Sequence, residues 1–357
     1  IGTTAGNNLF HSFSTFNIDA GESATFTGPA AINNVITRVT GTDINNTSTF
    51  NGPLTSQIPT ANFYFMNPNG IIFKEGATIS VDGSFYATTS DRIMLGNEMF
   101  NANPNLDPPG QLLTAPPSAF GFLDSNPNAI VLEGAQLVKY SPDAEAFFGI
   151  ESTLDIPDGA SFSLIGGNIV LDEATTPADV LEGTENGTGS FISATGNRVA
   201  LVSVASTGDV TMDANGYGLT SFDTLGDIEL KGESIIDASD VYIRGGNLYI
   251  TDSAIATGFF SAAYLASAPT DGDIDINVTN NLEVIGNALL SIEIDHPYFG
   301  PLVVKKPDAF IADSEKWSFR SGISALAGDP LFLVPGNVSD INITAKNQLY
   351  TGISGVI

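Results

Sequence analysis

The sequence contains no cysteine, and this absence excludes several kinds of site. A chain without cysteine forms no disulfide, no thiolate metal site and no cysteine nucleophile. The absence also suits a protein that crosses an oxidising compartment unfolded, because no premature disulfide can block its passage.

Basic residues are scarce. The chain has 12 Lys and Arg against 40 Asp and Glu, which gives a formal net charge of −28. Such a charge argues against nucleic acid and anionic membranes as partners. It predicts a solvated acidic surface, and a calcium-binding surface is the alternative.

Long apolar runs and helix signals are also missing. No apolar run reaches the roughly 20 residues that a membrane-spanning helix needs. Short runs rich in Val, Ile, Phe and Thr recur instead, and Gly, Asn and Asp separate them, which is typical of strands and turns. The length of 357 residues would allow two domains, but an elongated repeat protein can grow to that length as one body.

Internal repeats follow the strand signals. Repeats of a Gly-Asp-Ile type lie at residues 226–230 and 272–276, and looser copies lie at 208–212 and 339–343. Repeats of a Gly-Gly-Asn type lie at residues 166–171 and 245–250. Within them apolar and acidic residues alternate, as Ile274 and Ile276 do with Asp273 and Asp275. Alternation places the aliphatic side chains on one face and the acids on the other.

One coil cannot bury such a face alone, whereas coils stacked about 4.8 Å apart close a continuous interior. We therefore predict an all-β fold, a right-handed parallel β-helix with an N-terminal cap and extra-helical hairpins or loops. A β-sandwich is the alternative, but it would need antiparallel hairpins with primed turns. The first 40 residues are expected to form the cap, residues 100–120 a loop, and the other excursions are expected at 138–160, 172–190 and 295–320, the last holding Lys305, Lys306 and Trp317.

Residues 66–73 read Met-Asn-Pro-Asn-Gly-Ile-Ile-Phe and predict a turn between two apolar strands. Pro68 has a fixed φ, Asn69 tolerates the left-handed region and Gly70 takes positive φ freely. The string resembles the NPNGI signature of the filamentous-haemagglutinin-type secretion domain. Further segments match that family in order, at residues 8–18, 35–41, 83–91, 118–123, 162–169 and 202–210.

The resemblance covers residues 1–210, and only the repeat pattern continues beyond them. It implies a secretion-type N-terminal domain at 1–210 and further β-helix coils of the same solenoid at 211–357. The residues it singles out are the motif Asn67, Pro68, Asn69, Gly70 and Ile71 and the opening segment Asn8, Phe10, Phe13, Phe16 and Asn17. One departure is Asn-Pro-Asn-Leu at 103–106, which lies downstream of the motif and is interpreted as unrelated to the family's upstream NPNL motif.

The family's function follows as an expectation. The chain resembles the N-terminal module of a Gram-negative exoprotein exported by two-partner secretion, recognised by the periplasmic domains of an outer-membrane transporter. The exoprotein would be secreted or held at the cell surface after passing the periplasm, and would act as an adhesin with a host or surface receptor. On this interpretation the chain is a mature or trimmed form that lacks a signal peptide and a long C-terminal part.

A β-helical carbohydrate-active enzyme or polysaccharide-binding protein is the alternative function. A lyase of that kind needs acids that hold Ca²⁺ and a basic residue that acts on the sugar, but the five arginines are scattered: Arg38, Arg92, Arg198, Arg244 and Arg320. Glycosidase carboxylate pairs stay open, since any acidic β-helix offers carboxylates at suitable distances.

We predict no catalytic residue, no metal site and no cofactor. The two histidines, His11 in an apolar segment and His296 in a loop bounded by proline, have no identifiable partners for a triad or metal site. The acidic run at 271–275 fails as an EF-hand, because Ile276 and Leu282 occupy the positions that require Gly and Glu.

Overall fold

The computed structural model describes residues 2–41, 46–111, 113–139, 152–174, 189–213, 216–257, 272–285, 291–296, 300–305, 322–325 and 341–351. Within these ranges nearly all regular structure is β, with one 3-10 turn at Pro104–Leu106. No helix in the described ranges is long and apolar enough to span a bilayer. In chain order the strands are β1 Thr3–Ala5, β2 Asn8–Phe13, β3 Ala24–Phe26, β4 Asn34–Val39, β5 Ser48–Phe50, β6 Pro53–Ser56, β7 Asn62–Met66, β8 Ile71–Lys74, β9 Thr78–Val81, β10 Phe85–Thr88, β11 Arg92–Leu95, β12 Glu98–Asn101, β13 Pro117–Phe122, β14 Ile130–Glu133, β15 Gln136–Lys139, β16 Leu154–Asp155, β17 Ser161–Gly166, β18 Ile169–Asp172, β19 Phe191–Ser203, β20 Gly208–Asp213, β21 Gly216–Thr220, β22 Asp227–Leu230, β23 Ile235–Gly245, β24 Asn247–Thr251, β25 Ala254–Thr257, β26 Ile274–Val278, β27 Asn281–Ile285, β28 Ser291–His296, β29 Gly300–Lys305, β30 Gly322–Ala325, β31 Ile341–Thr344 and β32 Asn347–Thr351.

Three sheets form the walls of a parallel β-helix. The long sheet has 13 strands and runs through β2, β4, β7, β10, β17, β19 and β23; the middle sheet has 8 strands from β5 to β32; the short sheet contains β3, β6, β9 and β16. The chain visits them in turn, so β7, β8 and β9 lie in the long, middle and short sheets and β10 returns to the long sheet beside β7. This parallel stacking confirms the predicted β-helix and rules out the β-sandwich.

The interior is aromatic in the first coils and aliphatic in the later ones. Phe63, Phe85 and Phe162 occupy one register position of the long sheet, with ring centroids 6.0 and 5.5 Å apart. Val199 and Val241 continue the same position. All five side chains are almost completely buried, so one continuous core runs through the coils.

The N-terminal cap is shorter than the predicted 40 residues. β1 pairs antiparallel with β2 and closes that edge of the long sheet, as an otherwise unpaired edge requires. β2 is already a coil strand, because it pairs in parallel with β4 from Asn8–Asn34 to Phe13–Val39.

An extra-helical antiparallel sheet, called here the outer sheet, consists of β12, β11, β13, β20 and β21. Its apolar side chains pack on the outward face of the long sheet and form a second core cluster that includes Phe10, Tyr64, Phe120 and Tyr217. The loop predicted at 100–120 is therefore only partly a loop, since β12 and β13 occupy its two ends.

The repeat assignment needs two corrections. Residues 208–212 belong to β20 in the outer sheet and are not a coil. Residues 226–230 lie in the middle sheet, whereas 272–276 lead into β26 of the long sheet, so their spacing of 46 residues is not two turns of one position. The true stacks are 169–171 on 228–230 on 248–250 in the middle sheet, and 274–276 on 341–343 in the long sheet.

The predicted alternation is confirmed in the repeat at 272–276. Ile274 and Ile276 are fully buried, and Asp273 and Asp275 lie outside the interior. The excursion predicted at 295–320 begins as an antiparallel pair of β28 and β29. His296, predicted to lie in a loop, is instead the last residue of β28. Lys306 and Trp317, and most of the other two predicted insertions, lie outside the described residues.

Candidate functional site

The motif at residues 67–70 forms a corner between two walls of the β-helix. β7 and β8 do not pair with each other; each pairs with strands of its own sheet. The backbone N–H of Gly70 donates to the carbonyl oxygen of Asn67 (3.1 Å), with Pro68 second and Gly70 fourth, as in a type I turn. Gly70 has φ +108°, whereas Asn69 does not adopt the positive φ that its residue type allows.

The Asn67 side chain is the centre of this corner and is completely buried. Its amide Nδ2 donates to the carbonyl oxygen of Asn46 and to Ser48 Oγ, both at 2.9 Å, while its Oδ1 accepts from the backbone N–H and the side chain of Asn69, both at 3.0 Å. All the hydrogen-bonding capacity of the amide is thus used within the chain. In the folded domain no partner can reach it.

Neighbouring coils clamp the rest of the corner. Asn69 Nδ2 donates to the carbonyl oxygen of Gly41 (2.6 Å), and Thr47 Oγ1 donates to that of Asn69 (2.9 Å). From the following coil, Asn128 Nδ2 donates to the carbonyl oxygen of Pro68 (2.7 Å). The corner therefore holds three successive coils together. Ile71, the last motif residue, points into the core between Ser48 and Ile130 and is fully buried.

The opening segment begins a ladder of polar side chains. Asn8 is buried, and its Nδ2 donates to the carbonyl oxygens of Leu113 (2.9 Å) and Ala115 (2.7 Å) in the loop of the outer sheet. Its Oδ1 accepts from Asn34 Nδ2 (2.8 Å) in the next coil. Asn8 thus joins the first coil, the second coil and the outer sheet.

The three aromatic residues of that segment lie on two faces. Phe10 faces outward and packs on Phe100 of the outer sheet, with ring centroids 4.9 Å apart. Phe13 and Phe16 face the interior, 5.1 Å apart, and Phe16 also contacts Phe65 at 5.1 Å. They cover the first end of the core. Asn17 is exposed, and its Oδ1 accepts from the backbone N–H of Thr49 (2.9 Å).

His11 lies with these interior aromatic residues. Its ring stacks on Phe13 and meets Phe26 edge to face. Burial, followed by the charge of the chain's N-terminus, lowers the pKa of His11 below its ordinary 6.5. Its Nε2 is buried and has no hydrogen-bond partner in the described residues, so the neutral ring acts as a packing group, as predicted from its apolar segment.

Arg38 has a defined place in the fold, although the five arginines are dispersed along the sequence. It is buried and makes an ion pair with Asp107 Oδ2 (2.6 Å), while its Nε donates to Ser12 Oγ (2.8 Å). Its Nη1 also donates to the carbonyl oxygen of Asn101, and its guanidinium lies 4.1 Å from the ring of Phe100. Arg38 thereby fixes the outer sheet to the second coil. The sequence signal for it is an arginine in a strand that also contains Val35, Ile36 and Val39.

A calcium-binding surface is the alternative interpretation of the acidic residues. Among the described residues, no group of three or more His, Asp or Glu is arranged to hold an ion. Asp275, from the acidic run, instead forms an ion pair with Arg244 (2.7 Å), whose guanidinium stacks on Tyr242.

Comparison with known proteins identifies the chain's relatives. The family model of the TPS secretion domain matches residues 1–250. Among solved structures, the HMW1 secretion domain from Haemophilus influenzae is similar, with 17% sequence identity, a TM-score of 0.37, and coverage of 97% of this chain and 82% of that one. No curated protein matches the chain.

Proposed function

Since this chain belongs to the TPS secretion domain family, we propose that it is the N-terminal secretion module of a large bacterial exoprotein. TPS secretion domains are parts of two-partner secretion exoproteins, which cross the outer membrane with a partner transporter. The observation that carries the proposal is the family match over residues 1–250. We further propose that the whole exoprotein is an adhesin of a Gram-negative bacterium with a receptor at a host or other surface.

We propose that the transporter binds the motif before the first coils of the β-helix fold. Asn67 is inaccessible in the folded domain and its amide bonds only to its own chain. In the unfolded chain the same segment, with Phe63–Met66 before it and Ile71–Phe73 after it, is free to add as a strand to the edge of a partner's sheet. Recognition and later burial are then successive roles of one segment.

The second role we propose is to nucleate folding of the β-helix outside the cell. A series of hydrogen bonds between successive coils supports this role, because each coil provides a hydrogen-bond acceptor for the next one. Asn34 donates to Asn8, and Asn62 donates weakly to Asn34 at 3.5 Å. The backbone N–H of Ser84 then donates to Asn62 Oδ1 (2.9 Å), and that of Ser161 donates to Ser84 Oγ (3.0 Å). A formed coil therefore presents polar acceptors that the following coil satisfies.

Secretion and stability measured together test the proposal. Asn67→Ala leaves the carbonyl oxygen of Asn46 and the N–H of Asn69 without partners, so we expect a loss of about 1–3 kcal/mol in unfolding free energy. The amount exported by the cognate transporter should fall further than this loss explains. The matched control is Ile228→Val in a later coil, which costs about 0.5–1.5 kcal/mol.

The exported amount is compared with the melting temperature of Asn67→Ala, Asn69→Ala and Ile228→Val. If all three variants follow the same relation between the two quantities, the motif is a structural corner without a recognition role. Failure of the transporter to export the wild-type chain at all would contradict the secretion module itself.

A further inference from the structure

An open cleft lies where the outer sheet returns to the solenoid. Its volume is about 430 Å³, within the range of about 300–1,000 Å³ that is usual for small-molecule sites. One wall is the end of β21 and the segment that follows it, and the other is the corner between β26 and β27. The lining residues are Leu219, Ser221, Phe222, Asp223, Thr224, Leu225, Thr279 and Asn280.

Hydrogen bonds fix the backbone of both walls. Ser206 Oγ accepts from the backbone N–H groups of Asp223 (2.9 Å) and Thr224 (3.1 Å). On the opposite wall, the N–H groups of Thr279 and Asn280 donate to carbonyl oxygens of the preceding coil at 3.0 and 2.8 Å. The cleft is therefore preformed. Ser221 at its edge has φ +67°, and non-glycine residues in that region are concentrated at ligand sites.

The Asp223 and Asn280 side chains in the cleft are exposed to solvent, so a ligand can reach them. Within the described residues, neither the Asp223 carboxylate nor the Asn280 side-chain amide bonds to any other group of the chain, although the backbone of each is fixed. The carboxylate on one wall and the amide on the other together offer acceptors and donors to a molecule in the cleft. Phe222, which also packs edge to face on Phe122 at 6.2 Å, supplies an apolar wall beside them with the two leucines.

The charge of the lining limits the ligand. It contains one carboxylate and no Lys or Arg, so phosphate, sulfate or carboxylate groups would meet repulsion without a counter-ion. Paired hydroxyl groups match the Asp and Asn side chains, and the apolar C–H face of a sugar ring matches Phe222 and Leu225. We propose that this cleft binds a neutral saccharide, a function separate from export.

Saturation-transfer NMR on the purified chain tests the proposal with a defined panel of probes. The probes are the methyl glycosides of glucose, galactose, mannose, fucose and N-acetylglucosamine, with the methyl glycoside of N-acetylneuraminic acid as the anionic probe. Each is used at about 10 mM, which would fill most of a site with Kd of about 1 mM. We expect transfer to at least one neutral glycoside and none to the anionic one.

Asp223→Ala and Asn280→Ala should each reduce that transfer at least tenfold. Asp82→Ala is the matched control: it removes one exposed carboxylate from the first coils and should leave transfer unchanged. The proposal is overturned if no neutral glycoside shows transfer, or if the anionic probe shows stronger transfer than the neutral ones. It is also overturned if both cleft variants show the same transfer as wild type. Export of the cleft variants should equal that of wild type, so failure here leaves the secretion module intact.

Discussion

At residue scale, Gly70 shows how closely the corner depends on one backbone conformation. Its φ of +108° lies beyond the left-handed region near +57° that Asn tolerates. An added Cβ would meet the Ala129 carbonyl oxygen and Thr47 at about 3.4 Å, which is ordinary contact, so the penalty comes from the backbone.

We therefore expect Gly70→Ala and Gly70→Asn both to lower the unfolding free energy by about 1–3 kcal/mol, measured by urea denaturation. Gly21→Ala is the control, because Gly21 has φ +82° with nothing within 4 Å of an added Cβ. A similar loss at Gly21 assigns the effect to backbone strain alone. An unchanged midpoint for Gly70→Ala would contradict the forced corner.

His11 makes stability depend on pH. Because its folded-state pKa is lowered by burial, the unfolded chain takes up a proton first as the pH falls through about 6.5. The unfolded state then binds more protons, so stability decreases below that pH. The melting temperature should decrease when the pH is lowered from about 7.5 to about 5.5, on either side of the ordinary histidine pKa. The melting temperature of His11→Phe should decrease less over the same range. The same fall in both proteins would show that other groups cause it.

At the scale of elements, a largely buried ion pair joins the outer sheet to the solenoid, whereas a pair between neighbouring strands of the middle sheet is exposed. The Arg38 and Asp107 side chains are 10% and 19% exposed, whereas Lys74 and Glu133, which pair at 3.1 Å, are 42% and 40% exposed. Removal of one partner leaves an uncompensated charge only where water is excluded.

We expect Asp107→Ala to cost up to about 3 kcal/mol and to increase amide exchange in β12 and β13. Glu133→Ala should cost less than about 1 kcal/mol, as exposed pairs usually do. Equal losses in the two variants would mean that Arg38 does not anchor the outer sheet.

At the scale of the whole molecule, the β-helix is a one-dimensional array in which each coil contacts its neighbours. Damage in a late coil should therefore stay local. Ile276→Asp buries an unpaired carboxylate and should raise amide exchange in β23, β26 and β27 while β7 and β10 keep their protection. Asp275→Asn, which loses only the half-exposed pair with Arg244, is the control and should cost less than about 1 kcal/mol. Loss of protection in β7 as well would show that the array unfolds as one unit.

The sequence by itself determined the class of structure and the place of the corner. Strict alternation of Ile274 and Ile276 with Asp273 and Asp275 fixes which side chains are buried, and the Pro and Gly of residues 67–70 fix a turn. These are local properties, set by the two-residue period of a strand and the φ preferences of single residues. For the same reason the ordered motifs of the first 210 residues were enough to indicate the family.

The tertiary structure alone decided which wall each strand occupies and which polar groups meet. Residues 226–230 and 272–276 share a sequence pattern yet lie in different sheets, because corner lengths vary from coil to coil and alternation says nothing of them. The hydrogen bond of buried Asn67 to Ser48 joins residues 19 apart, and the ion pair of Arg38 with Asp107 joins residues 69 apart. The cleft beside Phe222 lies between separate coils. Such contacts depend on how the coils stack, and no local pattern encodes them.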